Sequence, residues 1–269
     1  MLILQIEFKN LGFMKRKNNA YLLNVLALLC VVTMAFVSCK GKDPEPEPQP
    51  NPYPPTEIIS PDPEVGGVLP ESVLPDSLVS SVTQWIDIPS GENPPAVTGR
   101  FVSHPHALLH STIANDTVHF YNDRYVAFLN FKTDNGKHIV DFYGKQWDDE
   151  EEDYYEEVRR KINVVGNGDE FACYYLTKAY PNGYYAEQST IFTGRWDVEG
   201  GTPCVRDFKV AVILLETSGN PDLAPVNSFR VLGDYDGISQ DTAWMGKRDW
   251  LDEDIIVSGE DAFKMFRKH

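Results

Sequence analysis

The sequence predicts a single all-β domain, closed as an antiparallel β-barrel or folded as a sandwich, with short peripheral helices. Asn-Gly pairs occur at positions 135–136, 167–168 and 182–183, each between segments rich in β-branched and aromatic residues. This is the pattern of two-residue hairpins. Helical patterns are limited to residues 74–85 and 259–268. Because consecutive hairpins favour an up-and-down meander, we expect lipocalin-like closure in preference to a sandwich.

Two segments carry the clearest strand patterns. Every second side chain between residues 124 and 132 is apolar and forms the predicted core face: Tyr125, Ala127, Leu129 and Phe131. That period of two is the signature of a strand with one buried face. Residues 210–215 are apolar without alternation, which predicts a central strand covered on both faces.

Residues 1–38 are predicted to be a lipoprotein signal segment. A basic run at residues 15–17 precedes an apolar stretch over residues 22–37 and the small residue Ser38, and these are the parts of a secretory signal. Phe36-Val37-Ser38-Cys39 resembles the lipobox of bacterial lipoproteins. This resemblance implies lipid attachment at Cys39 and anchoring in a cell outer membrane, at its periplasmic face or at the cell surface. A plain signal peptide cut near Ser38 and a single transmembrane anchor are the alternatives. Translation is expected to start at Met14.

A proline-rich segment separates the anchor from the body. Residues 39–77 form the predicted lipidated linker, which has proline at alternate positions over residues 44–50, as extended stalks do. The all-β domain is predicted over residues 78–257 and a C-terminal tail over residues 258–269. Removal of residues 1–38 takes away four bases and one acid, which changes the net charge from -16 to -19. Such a body repels phosphate backbones, so nucleic acid is excluded as a partner, and the membrane is contacted through the N-terminal lipid.

Three stretches of the body form a pattern: residues 88–101, then Ser103-His104-Pro105 with Leu108-Leu109, and finally Phe229-Arg230-Val231 followed by Asp234-Tyr235-Asp236-Gly237 and Trp244. This pattern is similar to that of a family of functionally uncharacterised Bacteroidetes outer-membrane lipoproteins. The family typically carries a Tyr-type aromatic where Phe101 stands and glycine where Tyr235 stands. The resemblance implies the outer-membrane address and a one-domain body, and it implies no catalytic role for any residue.

Asp234, Asp236 and Asp241 are candidate calcium ligands, because carboxylate oxygens around a glycine turn are the hard ligands that Ca²⁺ takes. The first and last ligands of an EF-hand are missing from this stretch. The alternative, which the sequence favours, is a tight turn whose aspartates bond local amides. Apart from this calcium, no cofactor is expected.

A histidine string is the second candidate metal site. His104, His106 and His110 could converge on zinc or copper. On a regular strand, however, His106 and His110 would lie about 13 Å apart. The favoured alternative is therefore a loop or edge strand with exposed or locally bonded histidines.

Cys173 and Cys204 remain as thiols once Cys30 departs with the signal segment and Cys39 is acylated. In an oxidising compartment they could form a disulfide, which would close a loop of about 30 residues and stabilise the fold by roughly 3 to 4 kcal/mol. The alternative is that Cys173, inside a predicted strand, is simply a buried apolar residue.

Three classes of function are open. A non-enzymatic ligand- or glycan-binding surface protein is favoured, because tyrosine and tryptophan are abundant and sugars and other flat groups stack on them. A structural or interaction subunit of an envelope assembly is the alternative. A metal-dependent hydrolase has the least support, since the sequence contains no nucleophile elbow, phosphate loop or Cys-x-x-Cys pair.

Overall fold

Strands dominate the computed structural model, which describes residues 52–114, 116, 123–148, 153–240, 263 and 266. Its one α-helix among these residues is α1 (Asp76–Val82). The strands, in chain order, are β1 (Glu57–Ile59), β2 (Glu92–Asn93), β3 (Thr98–Ser111), β4 (Asp123–Asp134), β5 (Lys137–Asp148), β6 (Asp153–Asn167), β7 (Glu170–Ala179), β8 (Ala186–Glu199), β9 (Thr202–Glu216), β10 (Phe229–Asp234) and β11 (Ile238–Gln240).

Strands β3 to β10 form a closed ring of eight. Each strand pairs antiparallel with the next along the chain, and β10 pairs with β3 to complete the circle. After a turn at residues 235–237, β11 runs on between β9 and β3. The ring confirms the all-β fold, and of the two closures considered it is the lipocalin-like barrel.

The first predicted hairpin turn is confirmed and the second is displaced. Asn135 and Gly136 have φ values of 52° and 79° and form the two-residue turn between β4 and β5. Such left-handed conformations are those that Asn and Gly tolerate best. Between β6 and β7 the turn begins one residue later than predicted, because Asn167 still pairs with Glu170.

The third predicted turn, at Asn182-Gly183, is wrong as a two-residue hairpin. Strand β7 ends at Ala179 and β8 begins at Ala186, and a 3₁₀ turn over Pro181–Gly183 lies in the connection. Pro181 explains the difference, because its fixed φ suits the start of such a turn and it has no N–H for a strand ladder.

The core has an inner and an outer layer. Inside the ring, Tyr125, Ala127 and Leu129 are buried with Phe131 packed against them, which confirms the predicted core face of β4. The double coverage of β9 is also confirmed. Val210, Val212 and Leu214 belong to the inner layer, and Ala211, Ile213 and Leu215 belong to an outer cluster.

The outer layer is covered by residues that precede the ring. Strand β1 pairs antiparallel with β7, and β2 pairs parallel with β6. Helix α1, which lies within the predicted helical stretch, places Leu78 and Val82 on the outer cluster, because residues four apart share one helix face. Part of the predicted linker therefore belongs to the folded body, which begins before residue 78.

A seam between β6 and β7 is held by the N-terminal segment. The two strands pair over residues 163–167 and 170–174, and further along β7 pairs with β1 instead. The Ser60 hydroxyl donates to Tyr174 O over 2.7 Å and accepts from Asn163 N over 2.8 Å. The side-chain amide of Asn163 donates to Ser60 O and Pro61 O over 2.9 and 2.8 Å. Strand β1 is thus fixed to both sides of the seam.

Phe263 and Phe266, the two described residues of the predicted C-terminal tail, are fully buried in the inner layer. The carbonyl of Phe266 accepts a hydrogen bond from Ala224 N over 2.8 Å. These two rings therefore contribute to the barrel core beside the connection from β9 to β10.

Candidate ligand-binding site

Aromatic rings fill part of the barrel interior. The Phe192 ring lies 4.8 Å from that of Phe142, 5.6 Å from that of Tyr125 and 5.8 Å from that of Tyr175, measured between centroids. Tilted pairs at these separations are favourable. All four side chains are fully buried, so this aromatic group packs as a core.

Three uncharged polar side chains also face the interior. Thr177 and Gln188 are directly opposed on β7 and β8, and Thr190 follows two residues along β8. Gln188 pairs with Leu214 and Thr190 with Val212, and both partners belong to the inner layer. The three polar side chains are at most 1% exposed. Thr177 Oγ1, Gln188 Oε1 and Thr190 Oγ1 have no hydrogen-bond partner within the described part of the chain.

An arginine completes the group. Arg160 lies on β6 between Val158 and Ile162 and pairs with Phe142 on β5. All three neighbours belong to the inner layer, so the alternation of the strand turns Arg160 inward as well. Its Nε is buried and lacks a hydrogen-bond partner among the residues described. The pairing of β6 with β7 ends at Asn163 and Tyr174, and at Thr177 the partner of β7 is Ile58 of β1. Arg160 and Thr177 thus face the interior from strands that are not paired with each other at this level.

Arg160, Thr177, Gln188 and Thr190 are named here the inner polar site. A buried polar group without a partner costs about 1 to 3 kcal/mol, and folded proteins contain only a few of them. Four such groups on the inner face of one barrel therefore indicate a place where bound water or a ligand supplies the missing bonds. Eight-stranded barrels are wide enough to hold one small ligand.

A second inward-facing arginine has a partner of its own. Arg230 pairs with Val212 of the inner layer, and its Nε donates to Asp116 Oδ2 over 2.7 Å. Both side chains are less than a tenth exposed. In this pair the protein supplies the counter-charge of an internal arginine, whereas at Arg160 no described carboxylate does so.

A separate polar group lies elsewhere on the inner face. His106 and Asp234 are paired on β3 and β10. Ser103 Oγ and His106 Nδ1 share a 2.9 Å hydrogen bond, and the Ser239 hydroxyl donates to Asp234 Oδ2 over 2.5 Å. Burial lowers the pKa of His106 to about 3, so its imidazole is neutral near pH 7. Burial also raises the pKa of Asp234 to about 7, against a lowering hydrogen bond from Ser239.

The three predicted calcium ligands are only partly described. Asp234 is engaged with Ser239, while Asp236 Oδ1 accepts a 3.0 Å hydrogen bond from Ile238 N. Asp241 lies outside the described residues. No group of three or more His, Cys, Asp or Glu side chains in the described ranges is arranged to hold a metal ion. The bond from Ile238 is the local amide contact expected for a turn, and calcium stays a prediction.

The three histidines of the candidate zinc or copper site do not converge. His104 is exposed and His106 is buried inside the barrel. His110 stacks on Trp85 at 4.2 Å in the outer layer. Shifts of register in β3 between Ser103 and His106, and again near His110, send the last two side chains to opposite faces. Only part of the alternative fits, because His104 is exposed and His106 is bonded locally to Ser103. The loop or edge strand is wrong, since β3 pairs with both β4 and β10.

The predicted disulfide between Cys173 and Cys204 does not form in this fold, where both are free and buried. Cys173 is level with Phe192 on β8 and, through it, with Val210 on β9. Cys204 lies six residues before Val210, or about 20 Å along the strand. Disulfides need Cα atoms within about 7 Å. Cys173 is the buried strand residue that the alternative describes.

The inner polar site was missed by sequence analysis, although one signal was present. Val158, Ile162 and Val164 mark an apolar strand face that the charged Arg160 interrupts. A charge on such a face is rarely fully buried without a partner. Thr177, Gln188 and Thr190 carried no comparable signal, because only the strand register brings them together.

Comparison of the chain with models of protein families, with curated proteins and with solved structures found no match. Cys39 and the predicted signal segment lie outside the described residues. Within the ranges that are described, α1 is too short to cross a membrane, and no other helix is long and apolar enough to do so. The inner polar site and the sequence are therefore the features from which a function can be proposed.

Proposed function

We propose that the chain is a non-enzymatic binding protein, anchored by lipid in a bacterial outer membrane, that holds a small polar ligand inside its barrel. The inner polar site is the observation that carries this proposal. Its buried hydroxyls and amide oxygen, together with the buried Nε of the half-buried Arg160, face the interior without protein partners in the described chain. A ligand that forms hydrogen bonds with these groups would remove the free-energy cost of leaving them buried without partners.

The aromatic group supports the same proposal. Tyr175 and Phe142 adjoin Thr177 and Arg160 along and across their strands, so an apolar wall stands beside the polar groups. Ligand sites commonly combine such walls with a few polar groups that fix orientation. A sugar or another small molecule with an apolar face matches this combination.

Native mass spectrometry of the chain purified from its own cell envelope tests the binding function. We expect a bound small molecule that is lost in Gln188→Leu, because leucine removes an unpaired acceptor from the site. The ligand-free Gln188→Leu protein is expected to be as stable as the parent or more stable, since an unsatisfied buried group has been removed. Retention of ligand by a folded Gln188→Leu variant contradicts the assignment of the site.

Ser189→Ala is the matched control for that experiment. Ser189 is on the same strand as Gln188, but it pairs with Leu176 and Ile213 of the outer cluster. Its Oγ is also buried without a partner among the described residues. Loss of ligand in Gln188→Leu with retention in Ser189→Ala separates the inner face from a general effect on β8.

Metabolic labelling with palmitate tests the anchor. The lipobox-like residues before Cys39 predict a labelled protein in the membrane fraction, and Cys39→Ser is expected to remove both label and membrane attachment. An unlabelled, membrane-attached wild type would favour the transmembrane alternative, and an unlabelled soluble one would favour the plain signal peptide. Either result leaves the inner polar site to be tested on its own.

A further inference from the structure

We infer that the ligand is a small oxyacid and that Arg160 binds its anionic group, a carboxylate or a phosphate. This inference rests on the proposed binding function and names the class of ligand. A guanidinium presents a planar fork of N–H donors that matches both kinds of group. Its placement on the inner face, with its Nε buried, makes Arg160 the recognition residue of this inference.

Among the described residues, no carboxylate is paired with the charge of Arg160. Its strand neighbours are Val158 and Ile162, and its cross-strand partner is Phe142. A cation on an apolar wall is unfavourable unless a counter-charge is present. The chain has 40 acidic residues against 24 basic ones. Although acidic side chains are in excess, no described one is paired with Arg160.

Three other arginines of the barrel are paired with carboxylates within the fold. Arg206 Nε lies 2.5 Å from Asp197 Oδ2, and Arg195 has a carboxylate of Asp207 at 3.5 Å. Arg230, which faces inward as Arg160 does, has the buried Asp116. The inward-facing Arg230 is thus paired with a carboxylate of the protein itself. The contrast supports a partner for Arg160 that is not among the described residues, and a bound anion is the partner that this inference assigns.

The uncharged members of the site define the rest of the ligand. Thr177 and Thr190 offer hydroxyls, which accept or donate, and they add no negative charge to repel an anion. The unpartnered Gln188 Oε1 can only accept. The ligand that satisfies all four residues is therefore an oxyacid that also carries a hydroxyl or amino donor near its anionic group.

Calorimetric titration of the lipoprotein with two matched pairs of probes tests this inference. Gluconate is compared with gluconamide, and glucose 6-phosphate with glucose, so that each pair differs in charge and the two anions separate carboxylate from phosphate. We expect at least one anion to bind about tenfold or more tightly than its neutral counterpart, the ratio of one charge-assisted hydrogen-bonded pair. Arg160→Gln is expected to abolish that preference, and Arg160→Lys to retain part of it.

Arg159→Gln removes the same charge one residue away on β6, where the alternation of the strand directs the side chain to the other face, and it is expected to keep the preference. Arg160→Gln should melt no lower than the wild type without ligand, because it removes an unpaired buried donor. Equal binding of charged and neutral probes, or an unchanged preference in Arg160→Gln, overturns the anion inference and leaves the binding function intact. Failure of both anions to bind also overturns it, while absence of any co-purified ligand in native mass spectrometry overturns the binding function itself.

Discussion

Arg160 and Arg230 both face the barrel interior, but only Arg230 has a described carboxylate, Asp116, as its partner. This pair should contribute measurably to stability. Asp116→Ala leaves the buried guanidinium of Arg230 without its carboxylate. Breaking a buried ion pair in this way costs about 3 to 5 kcal/mol. Denaturant unfolding followed by tryptophan fluorescence measures the loss.

Asp207→Asn is the control for the buried pair, because asparagine tolerates the left-handed φ of 53° at this position better than alanine does. It removes the partner of Arg195, whose pair is 45% and 65% exposed, and exposed pairs contribute about 1 kcal/mol or less. Similar losses in the two variants would mean that burial of Arg230 and Asp116 does not set the strength of their pair.

Asp234 is expected to make stability depend on pH. Burial, with the carboxyl of Asp236 nearby, raises its pKa to about 7 despite the hydrogen bond from Ser239, whereas an unfolded aspartate titrates near 3.9. The folded state thus binds the extra proton within this window. The contribution to stability is full below about pH 4 and is lost as pH rises towards 7.

Unfolding free energies measured from pH 4 to pH 8 test this expectation. Asp234→Asn cannot ionise, so its stability relative to the wild type should increase as pH rises to 7 and then level off. Asp222→Asn, on the exposed connection before β10, serves as the control. Parallel curves for Asp234→Asn and the wild type would assign the pH dependence to other groups.

What the sequence predicts at the residue scale depends on how local the signal is. The core face of β4 was predictable because alternation is a property of consecutive residues. The pairing of Thr177 with Gln188 depends on the register of β7 and β8 across a six-residue connection. This register cannot be read from the residues on either strand alone. The local amide contact of Asp236 was predictable, and Ser239, which bonds Asp234, follows it by five residues. The pairing of Asp234 with His106 on β3 depends on distant chain.

At the scale of elements, the attachment of β2 and its preceding segment depends on a stack of glycines. Gly91 N donates to Gly67 O over 3.0 Å, and Gly166 N donates to Gly91 O over 3.0 Å. A Cβ on Gly67 would lie 2.0 Å from the carbonyl oxygen of Gly91. Side chains are therefore excluded where the N-terminal segment meets β6.

Gly67→Ala and Gly66→Ala form a matched pair for that stack. Both glycines have left-handed φ, 70° and 82°, but a Cβ on Gly66 meets nothing within 4 Å. Gly66→Ala should cost about 1 to 2 kcal/mol from backbone strain alone. Gly67→Ala should lower the free energy of unfolding further and should accelerate amide hydrogen exchange at Gly91 and Gly166. Exchange rates measured at these two amides test this expectation. Equal costs with unchanged exchange would mean that the stack adjusts freely.

Prediction at the element scale succeeded where one short-range cause dominates. The Asn135-Gly136 turn and the short helix α1 follow from local chemistry. The turn after β7 failed because the proline before Asn182 outweighed the Asn-Gly pair. The inclusion of β1 in the body could not be foreseen, since its place depends on hydrogen bonds from Ser60 to residues more than a hundred positions away.

At the scale of the whole molecule, the barrel keeps its two thiols apart. Alkylation of the unfolded but unreduced chain, followed by peptide mass spectrometry, should label both Cys173 and Cys204. In the folded protein Cys173 should resist labelling, because burial removes access and raises the pKa of its thiol. A linked pair of peptides that is present without reductant and lost on reduction would contradict the strand register described above.

Closure of the ring also sets an order of events during folding. Its first and last strands meet at the pairing of Ser111 with Arg230, so nearly the whole body must be available before the circle can be completed. Contacts between such distant residues slow folding, since loop-closure entropy is lost before the contact is gained. A chain threaded through a membrane pore with its N-terminus leading would therefore remain open and translocation-competent until its last strands had emerged.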